Sequence, residues 1–212
     1  EGVAGRDLVV ESIAEDMAVK QEWIAEVEAL VSPTAYITSN TSGLSITEMS
    51  SRAQNPERIA TTHFWNPPHL VPLVEIVKSP ATSETMAQDL KILLERCGKV
   101  PVIVRKDRPG QLGNRLQMAM VREAVNIVAE GIADVEDVDK AASLGFGLRL
   151  PVYGIFEHAD LVGLDLSHKV CDSVAKDLYS ERRAPDLYGL LLRQGQLGAK
   201  TGSGFYDWSK KD

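Results

Sequence analysis

His63 is followed twelve positions later by Glu75. A histidine with a carboxylate in reach is a general acid–base pair, because the carboxylate orients the ring and stabilises the imidazolium that forms when the ring takes a proton. Two polar clusters accompany the pair: Ser39-Asn40-Thr41-Ser42, and His63-Phe64-Trp65-Asn66-Pro67-Pro68, which contains the histidine itself. All three features stand near the ends of predicted strands, where open α/β sheets gather their ligands. Spacing alone leaves other readings open. Glu75 lies within the apolar run Leu73-Val74-Glu75-Ile76-Val77 and serves equally as an edge residue or a structural ion-pair partner, and His63 equally as a satisfied core histidine.

The elements that must position these residues alternate in period. Short β-branched runs at residues 7–11, 35–38, 58–63, 73–77 and 100–104 read as strands. Between them, Val19, Trp23, Ile24, Val27 and Leu30 recur at helical spacing, Ser45-x-x-Glu48 has capping-box form, and residues 83–97 form a helix closed by Gly98. Strands alternating with helices predict a mostly parallel, doubly wound α/β sheet. Near residue 106 the strand signal ends, so the boundary is expected there: an α/β domain over 1–106 and an all-α domain over 107–212. Helices are expected over about 111–130, 134–144, 154–164, 167–179 and 185–194. The first of these is apolar almost all round and must be buried on several sides, more than one small helical domain provides, which points to a partner subunit.

Composition narrows the classes. The 212 residues carry 23 basic and 30 acidic side chains, a net charge of −7, with 44% hydrophobic residues, so the chain is an ordinary globular one and a poor partner for nucleic acid. The longest uncharged stretch, 29–47, is rich in Ser, Thr, Pro and Asn and does not read as a membrane span. Two cysteines, Cys97 and Cys171, form no metal or disulfide motif, which suits a reducing cytoplasm. No Gly-x-Gly-x-x-Gly occurs, although a sheet of this class that binds a dinucleotide usually opens with one; the sequence enters a strand almost at once, so the front of the sheet is expected to lie upstream of it.

The ordered set of segments resembles the 3-hydroxyacyl-CoA dehydrogenase family over nearly the whole length. The segments are Asp7-Leu8-Val9-Val10-Glu11, Ser39-Asn40-Thr41-Ser42, His63-Phe64-Trp65-Asn66-Pro67, Leu73-Val74-Glu75, Lys106-Asp107 with Pro109-Gly110, Asn114-Arg115-Leu116, Asp160-Leu161-Val162-Gly163-Leu164-Asp165 and Lys200-Thr201-Gly202-Ser203-Gly204-Phe205-Tyr206. The resemblance implies the C-terminal part of a Rossmann-type sheet followed by an all-α domain that makes a homodimer and helps bind substrate. It implies NAD as cofactor and oxidation of an L-3-hydroxyacyl-CoA in fatty acid metabolism. By the same resemblance, His63 is the base that takes the C3 hydroxyl proton and Glu75 its partner. Ser42 and Asn114 hold the substrate oxygens; Glu15, Lys20 and Lys200 touch NAD; Asn40 and Asn66 lie beside the nicotinamide. No metal is implied.

Two departures from the family pattern bear on the substrate. Pro68-His69-Leu70-Val71-Pro72 replaces a valine- and methionine-rich run, and the segment from Gly145 to Gly154 is three residues longer between its last two glycines than the usual loop. Arg149 lies in the extra length, and a guanidinium suits a carboxylate bidentately. Similar loops occur in relatives that oxidise free hydroxy acids of the gulonate, carnitine or pyridine-carboxylate type. A free 3-hydroxy acid is therefore the alternative substrate, with Arg149 binding it. A non-catalytic binding or dimerisation fragment is the third reading, motivated by the missing glycine loop.

Overall fold

The computed structural model describes residues 2–210, in two compact units, Glu1–Leu116 and Gln117–Asp212. The first unit is built on a five-stranded sheet of β1 (Leu8–Glu11), β2 (Tyr36–Ser39), β3 (Ile59–Phe64), β4 (Leu73–Lys78) and β5 (Val100–Val104), in that spatial order. β1, β2 and β3 are parallel, as are β4 and β5, but β3 and β4 run antiparallel. The sheet is mostly parallel, as expected from the sequence, with one antiparallel pairing that makes it mixed. The reason is length: only residues 65–72 join β3 to β4, too few for the crossover that a parallel pair requires.

Each face of the sheet is covered by helices whose apolar stripe matches it. α1 (Met17–Leu30) starts at Asp16, whose carboxylate accepts from the Val19 amide at 3.0 Å, and buries Ile24 and Val27. With Ile46 and Met49 of α2 (Ile46–Met49) they meet Val9, Ile37, Ile59 and Val77 on one face. α3 (Glu84–Arg96), capped by Ser83, lays Met86, Ala87, Leu90 and Leu94 on the other, against Ala60, Val74 and Ile76. Side chains alternate along a strand, so Glu75, between Val74 and Ile76, shares the first face with Val77 and, across the register, with His63.

The two units part after Leu116, ten residues beyond the boundary at 106 read from the loss of strand signal (116 − 106 = 10). Residues 107–116 belong with the first unit because their polar groups bind it. Asp107 accepts from the Ser45 hydroxyl at 2.6 Å and the Thr47 amide at 2.9 Å, and the Gln111 side chain donates to the Thr41 carbonyl at 3.1 Å.

The second unit is helical, with α4 (Gly113–Ala129) entering from the first, then α5 (Val135–Lys140), α6 (Gly147–Arg149), α7 (Ile155–Val162), α8 (Leu164–Val174) and α9 (Asp186–Arg193). Two expected spans change. The helix expected over 134–144 is α-helical only to Lys140 and continues as a π-helical stretch, Ala141–Phe146, kinked at Gly145. The helix expected over 167–179 is displaced to 164–174, because Gly163, at φ +98°, ends α7 and starts α8 in one residue. α4 is less covered than its composition suggests: Val125 is buried, whereas Leu116, Met118 and Met120 are exposed in the single chain.

Candidate active site

Antiparallel pairing places His63 of β3 directly opposite Glu75 of β4, and Nδ1 of the ring lies 2.8 Å from Oε2 of the carboxylate. Glu75 is 0% exposed, and its carboxylate accepts four hydrogen bonds. Oε2 takes His63 Nδ1 and, at 3.0 Å, the Trp65 indole N–H; Oε1 takes the Leu112 and Gly113 amides, each at 2.9 Å. Burial would raise the pKa of this acid, but the bonds from His63, the Gly113 amide, Trp65 and the Leu112 amide outweigh it and hold the carboxyl at about 2. An ionised carboxylate only accepts, so the proton on Nδ1 points at Glu75 and Nε2 is left as the ring's acceptor. Nε2 has no hydrogen-bond partner among the described residues.

Two members of this cluster were not singled out by their spacing. Trp65 is one; its ring also stands 5.7 Å from that of His63, tilted by 51°. Gly113 is the other. A Cβ built there would fall 2.3 Å from Cζ2 of Trp65, so only glycine lets the start of α4 come close enough for two consecutive amides to reach Glu75. The residue before Leu112, Gln111, is buried at φ +52°, the backbone turn that aims those amides. A glycine next to a proposed substrate asparagine, and a tryptophan after the histidine, were the available signals. Neither has a spacing that points at a carboxylate, since both meet Glu75 through the tertiary fold.

The structure brings Ser42 and Asn114 together: Nδ2 of Asn114 donates to the Ser42 carbonyl at 3.2 Å. Asn40 is tied to the same end of the sheet, its Oδ1 accepting from the Phe64 amide at 2.9 Å, and Asn66 is exposed in the loop after β3. Glu15, with 48% of its side chain exposed, accepts from the Thr41 hydroxyl at 2.5 Å and the Ser42 amide at 3.3 Å. Burial raises its pKa, yet these bonds and the nearby Lys20 bring it below the ordinary carboxylate value. Lys20 is buried in an ion pair. It is 1% exposed, with Nζ 2.7 and 2.9 Å from the two oxygens of Glu11 and 3.4 Å from Glu15. Arg149 and Lys200 belong to the second unit; each is exposed, and neither forms an ion pair among the described residues. Among the described residues no group of three or more His, Cys, Asp or Glu side chains is arranged to hold a metal.

Residues 1–108 match the model of the 3-hydroxyacyl-CoA dehydrogenase NAD binding domain, and residues 110–208 that of the 3-hydroxyacyl-CoA dehydrogenase C-terminal domain. The chain belongs to the 3-hydroxyacyl-CoA dehydrogenase family. A probable 3-hydroxybutyryl-CoA dehydrogenase of Bacillus subtilis is 36% identical over 206 residues, 97% of this chain and 70% of that one. The crystal structure of 3-hydroxybutyryl-CoA dehydrogenase from Escherichia coli superposes with a TM-score of 0.79 at 33% identity, over 100% of this chain and 44% of that one. The crystal structure of 5-formyl-3-hydroxy-2-methylpyridine 4-carboxylic acid 5-dehydrogenase, described as an NAD+ dependent dismutase, superposes with a TM-score of 0.91 at 31% identity, over 96% of this chain and 66% of that one. The chain thus spans between 44% and 70% of these members' length.

Proposed function

We propose that this member of the family oxidises an L-3-hydroxyacyl-CoA to the 3-oxoacyl-CoA, with His63 as the base. The observation that carries the reading is the commitment of Nδ1 to an ionised Glu75, which leaves Nε2 as the proton acceptor. The residues present suit the cofactor of the family's NAD-binding domain. Glu15 offers a half-exposed, ionised carboxylate to sugar hydroxyls, and Asn40 and Asn66 offer amide groups by the strand end that carries His63. NAD, when bound, supplies the hydride acceptor for C3 of the substrate. His63 takes the hydroxyl proton as the C3–H bond breaks, and Glu75 stabilises the imidazolium so formed without taking a proton itself. Ser42, in the loop after β2, and Asn114, in the first turn of α4, are joined by a hydrogen bond and orient the substrate oxygens. In this reading residues 1–106 form the cofactor part, and residues 107–212 the substrate and homodimer part. The two free cysteines, Cys97 and Cys171, fit a reducing cytoplasm, and the substrate class fits fatty acid metabolism.

The test is turnover of acetoacetyl-CoA with NADH by the protein and by His63→Gln. A fall in kcat of roughly 10²- to 10⁴-fold is expected, the usual contribution of a general base. Unchanged turnover removes the mechanism.

A second reading keeps this chemistry and changes the substrate to a free 3-hydroxy carboxylic acid. It is favoured by the closer superposition on the pyridine-carboxylate dehydrogenase than on the 3-hydroxybutyryl-CoA dehydrogenase, 0.91 against 0.79, and by the exposed Arg149. Oxidation of free hydroxy acids, with inactivity toward the thioester, selects it. If NADH does not bind at all, the non-catalytic reading stands instead.

A further inference from the structure

Gln111 goes against two ordinary rules at one position. At φ +52° it is the sole non-glycine residue with positive φ among the described residues, a strained conformation for a side chain of this kind. It is also buried, and only half of its amide is satisfied. Nε2 donates to the Thr41 carbonyl at 3.1 Å, while Oε1 is buried and accepts no hydrogen bond among the described residues. A buried carbonyl oxygen in that state is unfavourable. Glycine here would relieve the backbone, and an apolar side chain would relieve the oxygen. Neither would keep the bond to Thr41.

That bond joins the two segments that carry the site. Thr41 precedes Ser42 in the loop after β2. Gln111 precedes Leu112 and Gly113, whose amides each reach Oε1 of Glu75 at 2.9 Å, and stands three residues before Asn114, which donates to the Ser42 carbonyl. The turn is tight: the Gln111 amide donates to the Arg108 carbonyl at 2.9 Å, and the Arg115 amide to the Gly110 carbonyl at 3.1 Å. The same two segments meet again further out, where Asp107 accepts from Ser45 and Thr47. Of the three ties, through Asp107, Gln111 and Asn114, the one through Gln111 is buried and adjoins the amides on Glu75. Strain held by surrounding contacts collects where a geometry must be fixed in advance.

We propose that Gln111 is a positioning residue, which fastens the turn before α4 to the loop after β2 and so sets the Glu75 carboxylate and the Ser42–Asn114 pair together. It acts through those groups and does not touch the reacting atoms. The inference rests on the reading of His63 and Glu75 as the catalytic pair.

The experiment compares Gln111→Gly, Gln111→Met and His63→Gln with the unaltered protein, by steady-state turnover of acetoacetyl-CoA with NADH and by denaturant melts at pH 7 and pH 3. Both Gln111 variants lose the tie; Gly also relieves the backbone, and Met keeps the volume while removing the orphaned oxygen. Each is expected to lower kcat by up to about 10²-fold, the scale of a small misplacement near the chemistry. The melts read Glu75 directly. The side chains bonded to it are His63, which titrates, and Trp65, which does not; the other two bonds are the amides that Gln111 aims. With those amides displaced, the carboxyl moves back toward its ordinary value. The stability lost between pH 7 and pH 3 then becomes smaller than in the unaltered protein. A merely structural glutamine would lower stability equally at both pH values. An unaltered pH difference in either Gln111 variant overturns the proposal whatever kcat does, and so does a narrowed difference with unchanged kcat. Should His63→Gln turn over like the unaltered protein, it is the underlying reading that fails, and the melts alone decide whether Gln111 aims the amides at Glu75.

Discussion

Glu75 is the residue on which the proposed chemistry turns, because its four hydrogen bonds decide both its own charge and the tautomer of His63. Replacing it by Gln puts an amide where four donors converge, so at least one N–H of the amide faces a donor and is left unsatisfied. That change is expected to lower kcat at least 10²-fold with KM for the acyl substrate little changed, measured by steady-state kinetics. The same carboxylate links stability to pH. Its pKa is lowered from an ordinary 4.5 to about 2, so the stabilisation is fully present above pH 4.5 and is lost as pH falls from there toward 2. Denaturant melts at pH 7 and pH 3 are expected to show a loss on the order of a few kcal/mol, smaller in Glu75→Gln, which has no such group to protonate. A variant with the same pH slope as the parent would refute the assignment.

At the scale of elements, the decisive contact is between the start of α4 and the β3–β4 pair. The hairpin sets His63 against Glu75, and the amides of Leu112 and Gly113 close the carboxylate from the other side. Gly113→Ala inserts a methyl group 2.3 Å from the Trp65 ring, so either the indole or the helix must retreat, and either movement breaks a bond to Glu75. A destabilisation of about 1–3 kcal/mol is expected from the overlap. Activity should fall by more than the folded fraction does, read by comparing kcat with the thermal melt. Gly113 and Trp65 were invisible as site residues because their roles depend on an approach between segments nearly fifty positions apart (113 − 65 = 48). The strands themselves were legible, since a β-branched run of five declares its own conformation.

For the molecule as a whole, the feature to be explained is apolar surface on the second unit. Leu144, Leu148, Val152, Phe156, Leu161 and Leu164 are all exposed in the single chain, Phe156 by 86%. Monomeric proteins rarely leave so many large apolar side chains in water. The proposed homodimer accounts for them: Phe156→Asp combined with Leu161→Asp is expected to convert a dimer to a monomer by sedimentation, and a parent that sediments as a monomer would refute it. Substrate class is also tested at this scale. If the substrate is a free acid, Arg149→Ala is expected to raise its KM about tenfold or more, as the loss of a charge-assisted pair does, while KM for acetoacetyl-CoA stays unchanged.

The sequence by itself determined the five strands, the helices between them, the change to an all-helical second part and the pairing of His63 with Glu75 as a candidate. These follow from local periodicity and from residue type, which act over a few positions and need no long-range information. Only the tertiary structure decided that Lys20 is buried in an ion pair and that Glu75 is held ionised by the His63 ring, an indole and the consecutive amides of Leu112 and Gly113. It also decided that residues 107–116 belong to the first unit. Each of these is a matter of which groups meet after the chain has folded back on itself. Burial, and with it the charge state of an acid or the reach of a lysine, is set by neighbours distant along the chain, and periodicity carries no record of them.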